Sequence, residues 1–157
     1  MGKKADEALD MLRSVKTTRA ESLRLRRRVK ELESRCSKMT ASYGGVVGGG
    51  GGGREGLLAA LADEASRLKS AYYKEDAAVR RAEHLLDRVP DAVCREVLRL
   101  RYLDVLPWTK VQFHMARTGI CYSLRHLHRL HDTGVDMVRR EMTRRKRKGD
   151  DTEEAEE

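Results

Sequence analysis

Aromatic residues are scarce in this chain: one Trp, five Tyr and one Phe, 4% of 157 residues. With 37% of positions charged, the sequence can bury one modest core but not the interior of a large catalytic domain. Cysteine is also sparse. Cys36, Cys94 and Cys121 are odd in number and far apart, so neither a disulfide framework nor a Cys-x-x-Cys metal pattern is present, and a reducing compartment is expected. No run of about 18 apolar residues could span a membrane, and the opening MGKKADEALD lacks the apolar core of a signal peptide. These absences predict a cytoplasmic protein.

The usual signatures of catalysis are missing too. No Ser-His-Asp order, paired-carboxylate site or nucleotide-binding fingerprint stands on a credible scaffold, so neither an enzyme nor a cofactor is expected. The glycine run in SYGGVVGGGGGGR resembles a phosphate-binding loop only superficially. No Gly-Lys-Ser/Thr follows it and no strand flanks it.

What the chain has in abundance is positive charge, +8 overall. It is unevenly placed: +6 over residues 1–41, neutral over 42–90, +8 over 91–148 and −6 over the remainder. A localised basic excess points to a polyanionic partner.

The fold class expected is all-α. Ala8, Met11, Val15, Thr18, Ser22, Leu25, Val29, Leu32, Cys36 and Met39 alternate three and four apart, the seam of a helix that packs on another helix, over 1–41. Thr18 and Ser22 weaken it in the middle. Residues 42–54 are too glycine-rich for helix or strand and predict a flexible loop. A second seam follows over 55–90 through Leu58, Leu61, Ala65, Leu68, Tyr72, Glu75, Val79, Ala82, Leu86 and Val89, closed by Pro90. Two such helices predict an antiparallel hairpin or coiled coil about 50 Å long. Their seams can close on each other or on a second copy, so a homodimer is one expected partner. Residues 146–157 switch from basic to acidic without an apolar anchor and predict a disordered charged tail.

Residues 97–138 carry the most information. Val97, Leu98 and Tyr102 share one side of a short helix, with Arg95, Arg99 and Arg101 on its remaining faces. Further on, Leu127, Leu130, Gly134 and Val138 form an apolar stripe, leaving Arg125, His126, His128 and Arg129 outside. Ser123 stands where its hydroxyl can cap that helix. Cys121, His126, His128 and His131 lie close in sequence, but helical positions two apart diverge by about 200°. Only His128 and His131 share a face, so no metal site is expected.

The pieces REVLRLRYLD, then Leu106, Pro107 and Trp108 with Val111, then YSLRHLHRLH, together resemble region 4 of the sigma-70 family. They look closer still to phage and prophage regulators that join a long helical part to a region-4-like helix-turn-helix, a group that includes late-gene activators. The resemblance covers 91–141, and the module expected is 91–145. It implies a DNA-binding transcription regulator, with double-stranded DNA as partner and RNA polymerase as a second one. It assigns the recognition helix to the segment after Ser123, with Arg125 and Arg129 as first choices for base or phosphate contact and Leu124, His126 and His128 beside them. Arg117, in the turn, becomes a candidate phosphate contact. Trp108 and Val111 are expected in the core of the supporting helix, and Gly134 where a small residue lets helices approach. The chain departs from the family in its longer turn, residues 116–122. It departs again in Val105, where many relatives have Gly, and in Gln112, where a small residue is common. Two alternatives stay open: a phage small terminase subunit, and a helical protein-interaction module that binds no DNA.

Overall fold

The computed structural model describes the backbone of residues 2–42 and 52–153, and every regular element among them is helical. The order is α1 (Gly2–Ser42), α2 (Gly52–Leu86), α3 (Ala92–Leu98) running into a π-helical turn (Arg99–Leu103), α4 (Trp108–Ala116) and α5 (Leu124–Glu153). The chain is all-α, a long helical hairpin followed by shorter helices. No helix among the described residues is long and apolar enough to cross a membrane.

Two boundaries differ from expectation. Gly52 and Gly53 already belong to α2, so the loop expected over 42–54 is shorter at both ends, and its residues 43–51 lie outside the described residues. At the other end α5 continues to Glu153, which makes most of the expected disordered segment 146–157 helical. Residues 154–157 lie outside the described residues. The basic run that enters this segment consists of good helix formers and extends a helix already anchored by Val135 and Val138.

Contacts divide the chain into two compact units. In the first of them, Thr17–Asp76, helices α1 and α2 pair antiparallel. Arg19 Nε meets Glu75 Oε1 at 3.0 Å and Arg28 Nε meets Glu64 Oε1 at 3.5 Å, so residues ascending in one helix face residues descending in the other. The α1 seam is the one expected, with Ser22, Leu25, Val29 and Leu32 buried. The α2 seam is displaced. Its inward positions are Leu57, Leu61, Glu64, Leu68, Ala71 and Glu75, while Leu58 and Tyr72 stay 46% and 45% exposed. Leu61, Leu68 and Glu75 are common to the expected and observed seams; Leu58, Ala65 and Tyr72 are each one residue late. Of the three true positions, Glu64 and Ala71 read as less apolar than Ala65 and Tyr72 beside them, and Leu57 cannot be told from Leu58 by residue type. The seam also carries a cost, because Ser22 Oγ and Glu64 Oε2 are buried without a hydrogen-bond partner among the described residues, at about 1–3 kcal/mol each.

The second unit joins Met1–Lys16 to Ala77–Glu157. One core cluster unites Ala8, Leu12 and Val15 of α1, Ala78, Ala82, Leu85, Leu86 and the following Val89, then Cys94, Leu98, Tyr102 and Leu103, and finally Val135 and Val138 of α5. A second cluster gathers Val97, Leu100, Val111, Met115 and Leu127. The neighbours Val97 and Leu98 therefore serve opposite cores, and α3 lies between them. Asp91 starts α3 by accepting the Cys94 N–H at 2.8 Å. That bond holds the Asp91 carboxyl below its usual range, and burial pushes the Cys94 thiol up to about 11, with the Asp91 charge adding to the effect.

The π-helical turn closes with the Asp104 N–H donating to Arg99 O at 3.1 Å, five residues back, and the Leu106 N–H to Leu100 O at 3.0 Å. Its extra residue per turn allows Leu100 to enter one core while Tyr102 and Leu103 enter the other. Val105 then reverses the chain at φ 55°, the left-handed region that a β-branched residue rarely occupies. Val105→Gly should relieve about 1–2 kcal/mol of strain and give back part of it to unfolded-state entropy. A rise of about 2–4 °C in the thermal midpoint, read by circular dichroism, is expected.

Candidate nucleic-acid interface

α4, the turn after it and the first turns of α5 form the supporting and presenting elements of the candidate interface. α4 is fixed from inside by Val111 and Met115, which are buried in the second cluster with Leu127 of α5. Trp108 packs on the same cluster, half-buried, as expected of a supporting-helix residue.

The long turn is held by specific bonds. Thr118 Oγ1 donates to Met115 O at 2.6 Å, and Gly119 takes φ 92°, where glycine's lack of a Cβ is needed. The Gln112 side-chain amide donates to Tyr122 O at 2.8 Å, tying the far end of the turn back to α4. Gln112 thus holds the turn against α4. A small residue at 112 could not reach.

Ser123 then caps α5. The His126 N–H donates to Ser123 Oγ at 3.2 Å and to Ser123 O at 3.0 Å, and the Leu127 N–H donates to the same carbonyl at 3.0 Å. The first turn of α5 is thereby fixed in phase, with Leu127 inward and Leu124, Arg125, His126, His128 and Arg129 exposed. Arg125 and Arg129, four residues apart, share one outer face. Neither they nor Arg117 makes an ion pair or side-chain hydrogen bond among the described residues. The arginines further along α5 are engaged differently. Arg139 Nη1 meets Asp136 Oδ1 at 2.6 Å, Arg144 Nε meets Glu141 Oε2 at 3.5 Å, and Arg88 reaches the same Glu141 carboxylate at 3.1 Å.

The histidines diverge as their helical spacing requires. His126 stacks on Tyr122 (5.3 Å between centroids, 3° between planes) and His128 lies 4.1 Å from Trp108. His131 meets the Trp108 edge at 5.4 Å and stacks on Tyr102 at 5.7 Å. Tyr102 Oη stands 2.9 Å from His131 Nε2, and His131 Nδ1 stands 2.9 Å from Asp132 Oδ1. One tautomer satisfies both, with Nδ1–H donating to the carboxylate and Nε2 accepting from the phenol. Burial raises the Tyr102 phenol, against the pull of the Arg13 and Arg101 charges. Among the described residues no group of three or more His, Cys, Asp or Glu side chains could hold a metal ion.

Two features here were not foreseen from the sequence. Arg101, in the π-helical turn, is not simply a solvated charge: Nη1 donates to Leu106 O at 2.8 Å and the guanidinium lies 5.3 Å from the centre of the Trp108 ring. Phe113 and Ile120 are 60% and 51% exposed beside the same turn. Phe113 could have been found, because it falls between the inward Val111 and Met115 and cannot face the core with them. Gly134 does sit where two helices come close, its backbone against Leu98 and Cys94.

No family model matches the chain, and comparison with curated proteins and with solved structures finds no match either.

Proposed function

We propose that this chain is a sequence-specific, duplex-DNA-binding transcription regulator of phage or prophage type, with the first turns of α5 as its reading element. The observation that carries this reading is the pair Arg125 and Arg129, exposed and unpaired at the start of a helix whose phase is set by the Ser123 cap and the buried Leu127. Recognition helices read base edges with their N-terminal residues, and a guanidinium can bridge G O6 and N7 with two hydrogen bonds. Leu124, 40% exposed, offers apolar contact suited to a thymine methyl. Arg117 adds a phosphate contact from the turn, while His126 and His128 flank the reading pair. Phosphate neutralisation supplies affinity, and the few base contacts supply preference. Self-association through the hairpin and contact with RNA polymerase complete the proposal.

Selection from a random duplex library, followed by gel shifts on the recovered sequence, tests it. Wild type should recover a motif. Arg125→Ala and Arg129→Ala should each lose about 10- to 100-fold on that motif and much less on random duplex. Arg117→Ala should weaken both alike. If no motif emerges and the double variant binds as wild type does, the regulator reading fails. The protein-interaction alternative would then stand on a groove of about 470 Å3 whose lining includes Met11, Leu85, Met142, Arg80, Arg81 and Arg145.

A further inference from the structure

The hairpin's inner seam is occupied within the chain, so any self-association has to use an outer face, and residues 17–76 present one. Leu23, Tyr72 and Tyr73 are 49%, 45% and 67% exposed. Leu23 comes one residue after the buried Ser22, and Tyr72 one residue after the buried Ala71. Each is therefore rotated about 100° from its own seam. Antiparallel helices turn in opposite senses when viewed from one end, so the same step carries both residues to the same side of the hairpin. The Arg19–Glu75 and Arg28–Glu64 pairs set the level and put Leu23 abreast of residue 70. Leu23 and Tyr72 therefore share one side of the hairpin, and Tyr73, about 100° further round α2, widens that patch onto the helix's outer face. Lys69 and Asp76, both exposed, lie on the same face of α2 seven residues apart, one on each side of the tyrosine pair.

We propose that this patch is a self-complementary surface that docks a second copy of the chain in a two-fold, antiparallel pairing of α2 with α2. The order Lys69, Tyr72, Tyr73, Asp76 reads as its own complement about a point between the tyrosines. With a two-fold axis there, Tyr72 of each copy faces Tyr73 of the other, and Lys69 faces Asp76 at both ends. An isologous interface requires this property, that a residue and its partner exchange places between the copies. The charges also set the direction, since a parallel pairing in register puts Lys69 against Lys69 and Asp76 against Asp76. Leu23 widens the exposed face onto α1. Two hairpins meeting in this way form a four-helix arrangement with each inner seam intact.

The inference deepens the self-association part of the proposed function and rests on it. Sedimentation equilibrium of the full chain over a range of concentrations tests it, with circular dichroism as a check that each surface variant keeps its helix content. Wild type should show a monomer–dimer equilibrium. Tyr73→Glu should raise the dissociation constant at least about tenfold, and Lys69→Glu should do the same by placing two carboxylates together. Lys69→Glu combined with Asp76→Lys should restore dimerisation to within about threefold of wild type, which a merely structural role for either residue would not produce. A wild type that stays monomeric, one that forms larger rings, or a dimer indifferent to Tyr73→Glu overturns the proposal. Gel shifts of Tyr73→Glu on the selected duplex keep the two readings apart. A monomer that still binds DNA in an Arg125- and Arg129-dependent way removes the dimer surface alone.

Discussion

Leu12→Ala should cost about 2–5 kcal/mol, and the loss should be felt around α4 and the start of α5 although residue 12 stands near the beginning of α1. Leu12 is fully buried in the cluster that also contains Leu98, Tyr102, Val135 and Val138. Deleting its isopropyl end leaves a void bounded by three other segments of chain, and a void so enclosed collapses poorly. Trp108, the chain's only tryptophan, packs on the second cluster and reports on it independently. The two clusters share α3, and Leu130 packs against both, so the fluorescence transition of Trp108 should move down together with the helix signal. A shift of about 10 °C or more is expected for a unit of this size. Separation of the two transitions, with Trp108 melting at its wild-type temperature, would show that the clusters are not one cooperative structure. The same reasoning applies to the isolated segment 91–145. It lacks eight of the fourteen buried residues of the first cluster, Ala8, Leu12 and Val15 among them, and should not fold by itself.

That coupling explains what could and could not be read from the sequence. The α1 seam was legible from Ser22 to Leu32 because its inward residues are mostly Leu and Val with charged neighbours, but nearer the start the fully buried Leu12 was missed for its neighbour Met11, which is only half-buried. Between residues 57 and 75 the α2 seam was legible in only half its positions, because Glu64 and Ala71 point inward where Ala65 and Tyr72 look the better candidates, whereas Val79, Ala82, Leu86 and Val89 follow as expected. Spacing alone cannot separate two stripes one residue apart, and Glu64 is tolerated inside because Oε1 meets Arg28 from the facing helix. A boundary at Pro90 was a fair reading of local structure, since α2 ends at Leu86 and Asp91 caps α3. It could not show that Met1–Lys16 packs with everything after Ala77, because a contact between distant segments leaves no local trace. At the candidate site, the Ser123 hydroxyl and the inward Leu127 followed from capping and periodicity. The engagement of Arg101 with Leu106 O and Trp108 did not, because it depends on the π-helical turn and on the reversal at Val105. Neither has a simple sequence signal when the reversing residue is Val.

Gly134→Val should destabilise the fold by about 3 kcal/mol or more, and by a mechanism opposite to that of Leu12→Ala. A Cβ at 134 would stand 2.9 Å from Leu98 Cδ1, 3.2 Å from Leu98 Cγ and 3.3 Å from Cys94 Cβ. Both neighbours are buried, Leu98 completely, so the leucine cannot swing aside without displacing the core around it. Gly134→Ala brings two opposing effects. It gains about 1 kcal/mol of helix propensity in the middle of α5 and loses more to the clash. The expected result is a modest net destabilisation, with Val far worse because its branched carbons enter the same gap. A double-mutant cycle isolates the contact. Leu98→Ala alone opens a cavity, but together with Gly134→Ala it should cost at least about 1 kcal/mol less than the two changes summed. Additive losses would mean that the close approach of α3 and α5 is not what demands glycine. Because Arg129 stands little more than one turn before Gly134 on the same rigid helix, forcing α5 away from α3 also tilts the face proposed to read DNA. Gly134→Ala should therefore weaken binding to a selected duplex even at temperatures where it remains fully folded, whereas Val105→Gly, which leaves α5 in place, should not.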